Sequence, residues 1–266
     1  MSLTALGYAA AGGAAVAAGV VNAIAGGGTL ISFPALVGLG VPAVTSNVTN
    51  TVSLLPGYLA GSWAQRQELA PQIEHARGLA SLGGLGGLGG SVLLIVLPAK
   101  DFRLAVPYLI VLSCALLLVQ DRLRRALQTR SLPDDQAAPC GLGSRPESGG
   151  HRALQAVLVF VASVYGGFFG AGLGIMLLAV LGVFRRGPLS GANALKQALS
   201  FVINLVAALF FLFSGRVAWA VVPVMAVGSL AGGLLGGKLV PVIPERLLRQ
   251  VVVLAGAAVA ASFWAG

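Results

Sequence analysis

Residues 25–103, shifted by 146 positions (171 − 25), fall on residues 171–249 without a gap. Under that shift Ala25-Gly26-Gly27-Gly28 lands on Ala171-Gly172-Leu173-Gly174, Pro42 on Pro188, Asn47 on Asn193, Pro98 on Pro244 and Arg103 on Arg249. Gly86-Gly87-Leu88 lands on Gly232-Gly233-Leu234, and Gly90 on Gly236. Each copy is an apolar stretch broken by glycine at the same place. Paired apolar halves with matching interruptions are the sequence pattern of membrane transporters built from internal repeats.

Composition supports a bilayer rather than water as the solvent. Apolar residues make up 57% of the chain and charged residues 9%, against roughly 25% charged in a soluble domain. The apolar runs are continuous rather than alternating, so the spans read as helices and not as barrel strands. The expected fold is all-α: a polytopic helical membrane protein of two homologous halves. Each half holds four to five hydrophobic segments, one of them short or broken. The segments are 4–24, 29–40, 46–64, 77–97 and 104–120, then 153–169, 174–184, 191–214, 217–242 and 247–264. A straight span needs about 20 apolar residues, so 29–40 and 174–184 read as broken or re-entrant helices. Met1-Ser2-Leu3-Thr4-Ala5 carries no basic leader, so the first apolar run is expected to remain as a helix.

The domain reading is residues 1–120 as a first transmembrane repeat, 121–152 as a linker loop and 153–266 as a second repeat. The linker carries Arg122, Arg124, Arg125, Arg130, Arg145 and Arg152 among Pro, Gly, Ser and Asp, which predicts a cytoplasmic side for it. Five crossings per half would then make the repeats inverted. Lys100 and Arg103, which this count places outside, weigh against it. The expected location is the cytoplasmic membrane. A net charge of +9 does not predict a nucleic-acid partner, because most cations lie in short loops between apolar runs.

Three groups of residues stand out. Gly26, Gly27, Gly28 and Thr29, with their mates Gly172 and Gly174, would let the backbone turn sharply and aim a helix N-terminus at a ligand. Tight helix packing is the competing reading for these glycines. The run Thr45-Ser46-Asn47-Val48-Thr49-Asn50-Thr51 opens an otherwise apolar span. Its mate contains Asn193, Lys196 and Gln197. Asn47, Asn50 and Asn193 are expected to donate hydrogen bonds and Lys196 to supply charge; capping with an outward-reaching Lys196 is the competing reading. The pairs Gly86/Gly90 and Gly232/Gly236 read as close helix packing.

All eight acidic residues and both histidines fall in loops or at segment ends. A cation path would normally place such groups inside the spans. No metal-ligand spacing or nucleophile–base pair is visible, so neither an enzyme nor a cofactor is expected. The partners expected are the bilayer and a small anion, with self-association left open.

The run AGGGTLISFPALVGLGVPAVTSNVTNTVSLLPGYLAG (Ala25 to Gly61), NALKQ (Asn193 to Gln197) and the closing glycine-rich segments resemble the TauE/SafE family. The resemblance covers the chain outside 121–152. The second half departs from it, with Leu173 in place of a glycine and no proline matching Pro34. It implies an exporter whose substrate is a sulfur oxyanion or sulfonate, such as sulfite or a related organosulfonate. Together with the motifs and the internal repeats, the expected function is a carrier working by alternating access, with the eleven residues named above around the substrate. An uncoupled anion channel and a carrier of a small carboxylate are the alternatives.

Overall fold

The computed structural model describes residues 3–24, 26–130, 149–184, 189–239, 253–254 and 256. The end of the expected segment 217–242 and most of 247–264 lie outside them. Every regular element among the described residues is helical. The helices are α1 (Ala5–Ile24), α2 (Thr29–Gly38), α3 (Ala43–Ala64), α4 (Arg66–Leu69), α5 (Ile73–Val96), α6 (Ala99–Arg130), α7 (Gly149–Phe168), α8 (Leu173–Phe184), α9 (Leu189–Leu212) and α10 (Val222–Leu239), with a 3-10 turn at Ala70–Gln72. Among the described residues four stretches are long and apolar enough to cross a bilayer: Ala5–Ile24, Arg66–Val96, Ala99–Val119 and Ser190–Leu212. The protein is a polytopic helical membrane protein.

α2 and α8 have 10 and 12 residues. At 1.5 Å per residue they reach about half of a bilayer core. The polar stretch 121–152 is not all loop: α6 continues to Arg130, and α7 begins at Gly149. Arg, Leu, Gln and Ala dominate 121–130, and these residues lose little on entering a helix. Only 131–148 of the expected linker lies outside the described residues.

The described parts of residues 1–120 and 153–266 do not pack as separate bodies. The tightest pairs cross between them: α1 with α10, α5 with α7, α3 with α10 and α5 with α9. Glycine makes these seams possible. Gly19 faces the backbone of Ser229 and Gly233, Gly90 that of Val164, and Gly167 that of Gly87. A methyl group at any of these would enter a neighbouring main chain, so the expected packing role of Gly86, Gly90, Gly232 and Gly236 is matched by their contacts. Two interlocked bundles result, α1–α3–α10 and α5–α7–α9, which meet where α3 runs along α9. Phe33 and Phe169 stack edge to face at 5.3 Å, with Phe102 against Phe169 at 6.4 Å. This aromatic core fixes α2 and the end of α7 against the start of α6.

Candidate functional site

The chain between α1 and α2 breaks at Gly26, whose φ of 90° is left-handed. The chain between α7 and α8 breaks at Gly172, φ 80°, 146 residues later. Side chains rarely tolerate that backbone region, so glycine is required at both. The two breaks touch. A Cβ placed on Gly26 would lie 2.8 Å from the Gly174 Cα, and one on Gly174 would lie 2.7 Å from the Gly26 Cα. Gly26 to Thr29 and Gly170 to Gly174 are all buried. Two interrupted helices therefore meet backbone to backbone inside the protein.

Broken helices leave main-chain groups to be satisfied. In the first break the Asn22 side-chain oxygen accepts from the Gly28 N–H at 2.7 Å, and Gly26 N–H donates to Val21 O at 2.9 Å. In the second, Leu173 N–H donates to Gly170 O at 3.3 Å and Ile175 N–H to Gly172 O at 3.0 Å. The N–H groups of Gly27, Thr29, Gly172 and Gly174 have no hydrogen-bond partner among the described residues. Other helices supply the carbonyl partners of the second break. Asn47 on α3 donates to Phe168 O at 2.9 Å. Ser113 on α6 donates to Ala171 O at 2.9 Å and lies 2.8 Å from the Tyr165 hydroxyl.

Thr29, Asn47 and Asn50 gather at these breaks. Asn50 faces the Thr29 hydroxyl at 3.5 Å, and Thr29 borders Gly170. The side-chain NH₂ of Asn47 is committed to Phe168 O, which leaves its oxygen as the group with no partner among the described residues; the Asn50 oxygen is in the same state. Gly27 packs on Leu117, and Gly28 on Ala18 and Asn22.

Asn193, Lys196 and Gln197 are not brought to the same place. α3 and α9 run antiparallel: Gly61 lies directly against the Gln197 amide, and Asn193 donates to the Gln65 side-chain oxygen at 2.6 Å. Asn50 is eleven residues before Gly61, about 16 Å along α3. The inverted order of the two helices puts matching residues at opposite depths. Lys196 is 0% exposed, so it does not reach outward to a membrane surface. With Asn193, Gln197, Ser200 and Asn204 it forms a polar stripe at helical spacing, and its last three members are buried. The amide oxygen of Asn193, the Gln197 amide and the Ser200 hydroxyl, like the amide oxygens of Asn47 and Asn50 and the Ser53 hydroxyl on the facing helix, have no partner among the described residues.

Three residues at the breaks were not singled out from the sequence: Asn22, Ser113 and Tyr165. Asn22 carried a signal, being the one amide in the Ala-, Gly- and Val-rich run that leads into Gly26. Among the described residues no group of three His, Cys, Asp or Glu side chains gathers.

A model of the family described as "Sulfite exporter TauE/SafE" matches residues 11–263. The chain is 28% identical over 237 residues to a "Probable membrane transporter protein" of Haemophilus influenzae, covering 89% of this chain and 86% of that protein. It is 25% identical over 248 residues to the "Probable membrane transporter protein YfcA" of Escherichia coli K12, covering 93% and 86%. A "Probable membrane transporter protein ORF9" of Sinorhizobium is 24% identical over 261 residues, covering 93% and 88%. No solved structure matches the chain. A family match over nearly the whole length, on a helical membrane fold whose broken helices meet in the interior, makes this chain a member of the TauE/SafE family and a membrane transporter.

Proposed function

We propose that the protein is a secondary carrier of small sulfur-containing anions, sulfite or organosulfonates, in the cytoplasmic membrane. One observation carries this reading: two touching helix breaks with buried N–H groups that nothing among the described residues accepts. Unmatched, each such donor costs about 1–3 kcal/mol. A sulfonate spreads one charge over three weakly basic oxygens and can take several modest donors at once. The N-termini of α2 and α8 add partial positive charge at the same point. A phosphate dianion would call for arginine, and the break residues include none.

Alternating access would move the interlocked bundles α1–α3–α10 and α5–α7–α9 against each other, rather than the two sequence halves. The seam between them is the α3/α9 contact, so its polar side chains form the path. Lys196, next to Gln197 and so about 16 Å along α3 from Asn50, is then a second station away from the breaks. The segment 131–148 would face the cytoplasm.

The unpartnered oxygens of Asn47 and Asn50 favour a refinement. Acceptors suit a protonated substrate anion or an accompanying cation, so proton- or sodium-coupled transport fits better than passage of a bare anion. Proteoliposome flux under imposed gradients tests the carrier. Saturable sulfite flux with counterflow supports it; flux that follows the gradient without saturating indicates a channel. Preference for a small carboxylate over sulfite would move the substrate class. Lys196→Ala is expected to lose most transport while folding normally, and parent-level flux in that variant would remove Lys196 from the path.

A further inference from the structure

Away from the breaks, a cavity of about 780 Å³ opens at the turn between α2 and α3. Its lining includes Gly40 and Thr45 from that turn and the start of α3, Lys100 and Arg103 from the first turns of α6, and Arg216 from the segment before α10. Among the described residues no acidic side chain lines it and no ion pair engages the three cations. The volume lies within the usual range for small-ligand sites. Thr45 is five residues before Asn50, about 8 Å along α3, and Asn50 faces Thr29 at the first break. The cavity therefore opens onto the helix that leads to the first break. It sits at the opposite end of α6 from 131–148.

We infer that Lys100, Arg103 and Arg216 form an anion-collecting antechamber, which concentrates small oxyanions at the mouth of α3 before they reach the breaks. This rests on the anion-carrier reading above and adds a recruitment site to it. Three like charges around one concave, low-dielectric mouth focus their field into it and raise the local anion concentration. Because the lining is partly open, salt screens it over roughly 8–10 Å. The same charge excess could hold the phosphate of a lipid headgroup. The cavity wall favours the solute, since it is built from the turn that opens α3, the helix that carries Asn47 and Asn50 down to the breaks.

The test is sulfite flux into proteoliposomes by the parent and by Lys100→Gln/Arg103→Gln/Arg216→Gln, at low and high ionic strength, in phosphatidylcholine alone and with added anionic lipid. The triple variant is expected to raise the sulfite KM about tenfold at low salt, with kcat nearly unchanged. Its salt dependence should flatten, and the effect should be the same in both lipids. A charge-preserving variant, Lys100→Arg/Arg103→Lys/Arg216→Lys, should keep the parent KM, which separates charge from folding. A parent-like KM in the triple variant at low salt would overturn the antechamber. So would an effect confined to anionic lipid, which would assign the cations to a headgroup. If the parent carries sulfite while the triple variant matches it, only the antechamber falls. If the parent carries no anion, the carrier reading falls with it.

Discussion

The two helix breaks share a backbone and differ in what holds them. The first is closed from within its own repeat: Asn22, on the helix that enters the break, accepts from Gly28 N–H. At the position matching Asn22 the second half has Phe168, which cannot do this. Its break is held by side chains of other helices, Asn47 on α3 and Ser113 on α6, which donate to Phe168 O and Ala171 O. The lesson is that one break is self-supporting and the other depends on how the bundles sit. A break whose hydrogen bonds span moving elements is the one that transport would disturb.

The sharpest test of this asymmetry is a pair of methyl groups. Gly26→Ala puts a Cβ 2.8 Å from the Gly174 main chain at a φ of 90°. Gly172→Ala has a similar φ, but its Cβ would meet nothing closer than 3.6 Å. Gly26→Ala should cost about 3 kcal/mol or more, combining strain and displaced backbone, and abolish transport. Gly172→Ala should cost about 1–2 kcal/mol. Denaturant unfolding in detergent reads both; equal losses would mean the breaks do not touch as described.

Next in size is Asn22→Leu, which leaves the Gly28 N–H buried without its acceptor and should cost about 1–3 kcal/mol. Asn47→Ala should cost less, about 1 kcal/mol, because an orphaned carbonyl such as Phe168 O is tolerated better than an orphaned N–H. It should nonetheless reduce transport more than Asn22→Leu does, because Asn47 hydrogen-bonds α3 to the second break, across the two bundles. Comparing flux with melting temperature for the two variants checks this; flux that tracks stability in both would contradict it.

Much of this was readable in the residues. Matching glycines marked both breaks, because only glycine takes the backbone angles found at Gly26 and Gly172, and the short apolar runs marked α2 and α8. The partners were not readable. Whether Asn47 and Asn193 donate to a ligand or to the chain depends on which helix lies across from them, and repeat matching says nothing about that. Asn50 and Lys196 occupy matched positions, yet inversion of α3 against α9 separates them in depth. The basic cavity was also hidden, since Arg216 lies more than a hundred residues from Lys100 and Arg103. Nor did the sequence show that the halves interlock.

The smallest expected effect separates packing glycines from lipid-facing ones. Gly89 has nothing within 4 Å of a built Cβ, whereas Gly90 lies against Val164 O. Gly89→Ala should leave transport unchanged and stabilise α5 by up to about 1 kcal/mol through helix propensity. A loss of stability would place a neighbour there.

The most direct test is the melting temperature of the purified protein with sulfite or a small sulfonate, against chloride at equal ionic strength. It is measured for the parent and for Thr29→Val/Asn50→Leu. That double change removes the long Asn50–Thr29 hydrogen bond and the Thr29 partner of the buried Tyr58 hydroxyl, and keeps side-chain bulk. If the breaks hold the anion, sulfite or sulfonate raises the parent's melting temperature well beyond chloride. The variant melts somewhat below the parent without ligand, because the buried Tyr58 hydroxyl loses its Thr29 partner, and it loses the rise. A parent that responds to sulfite no more than to chloride, or a variant that keeps the full response, would contradict an anion site where Gly26 meets Gly174.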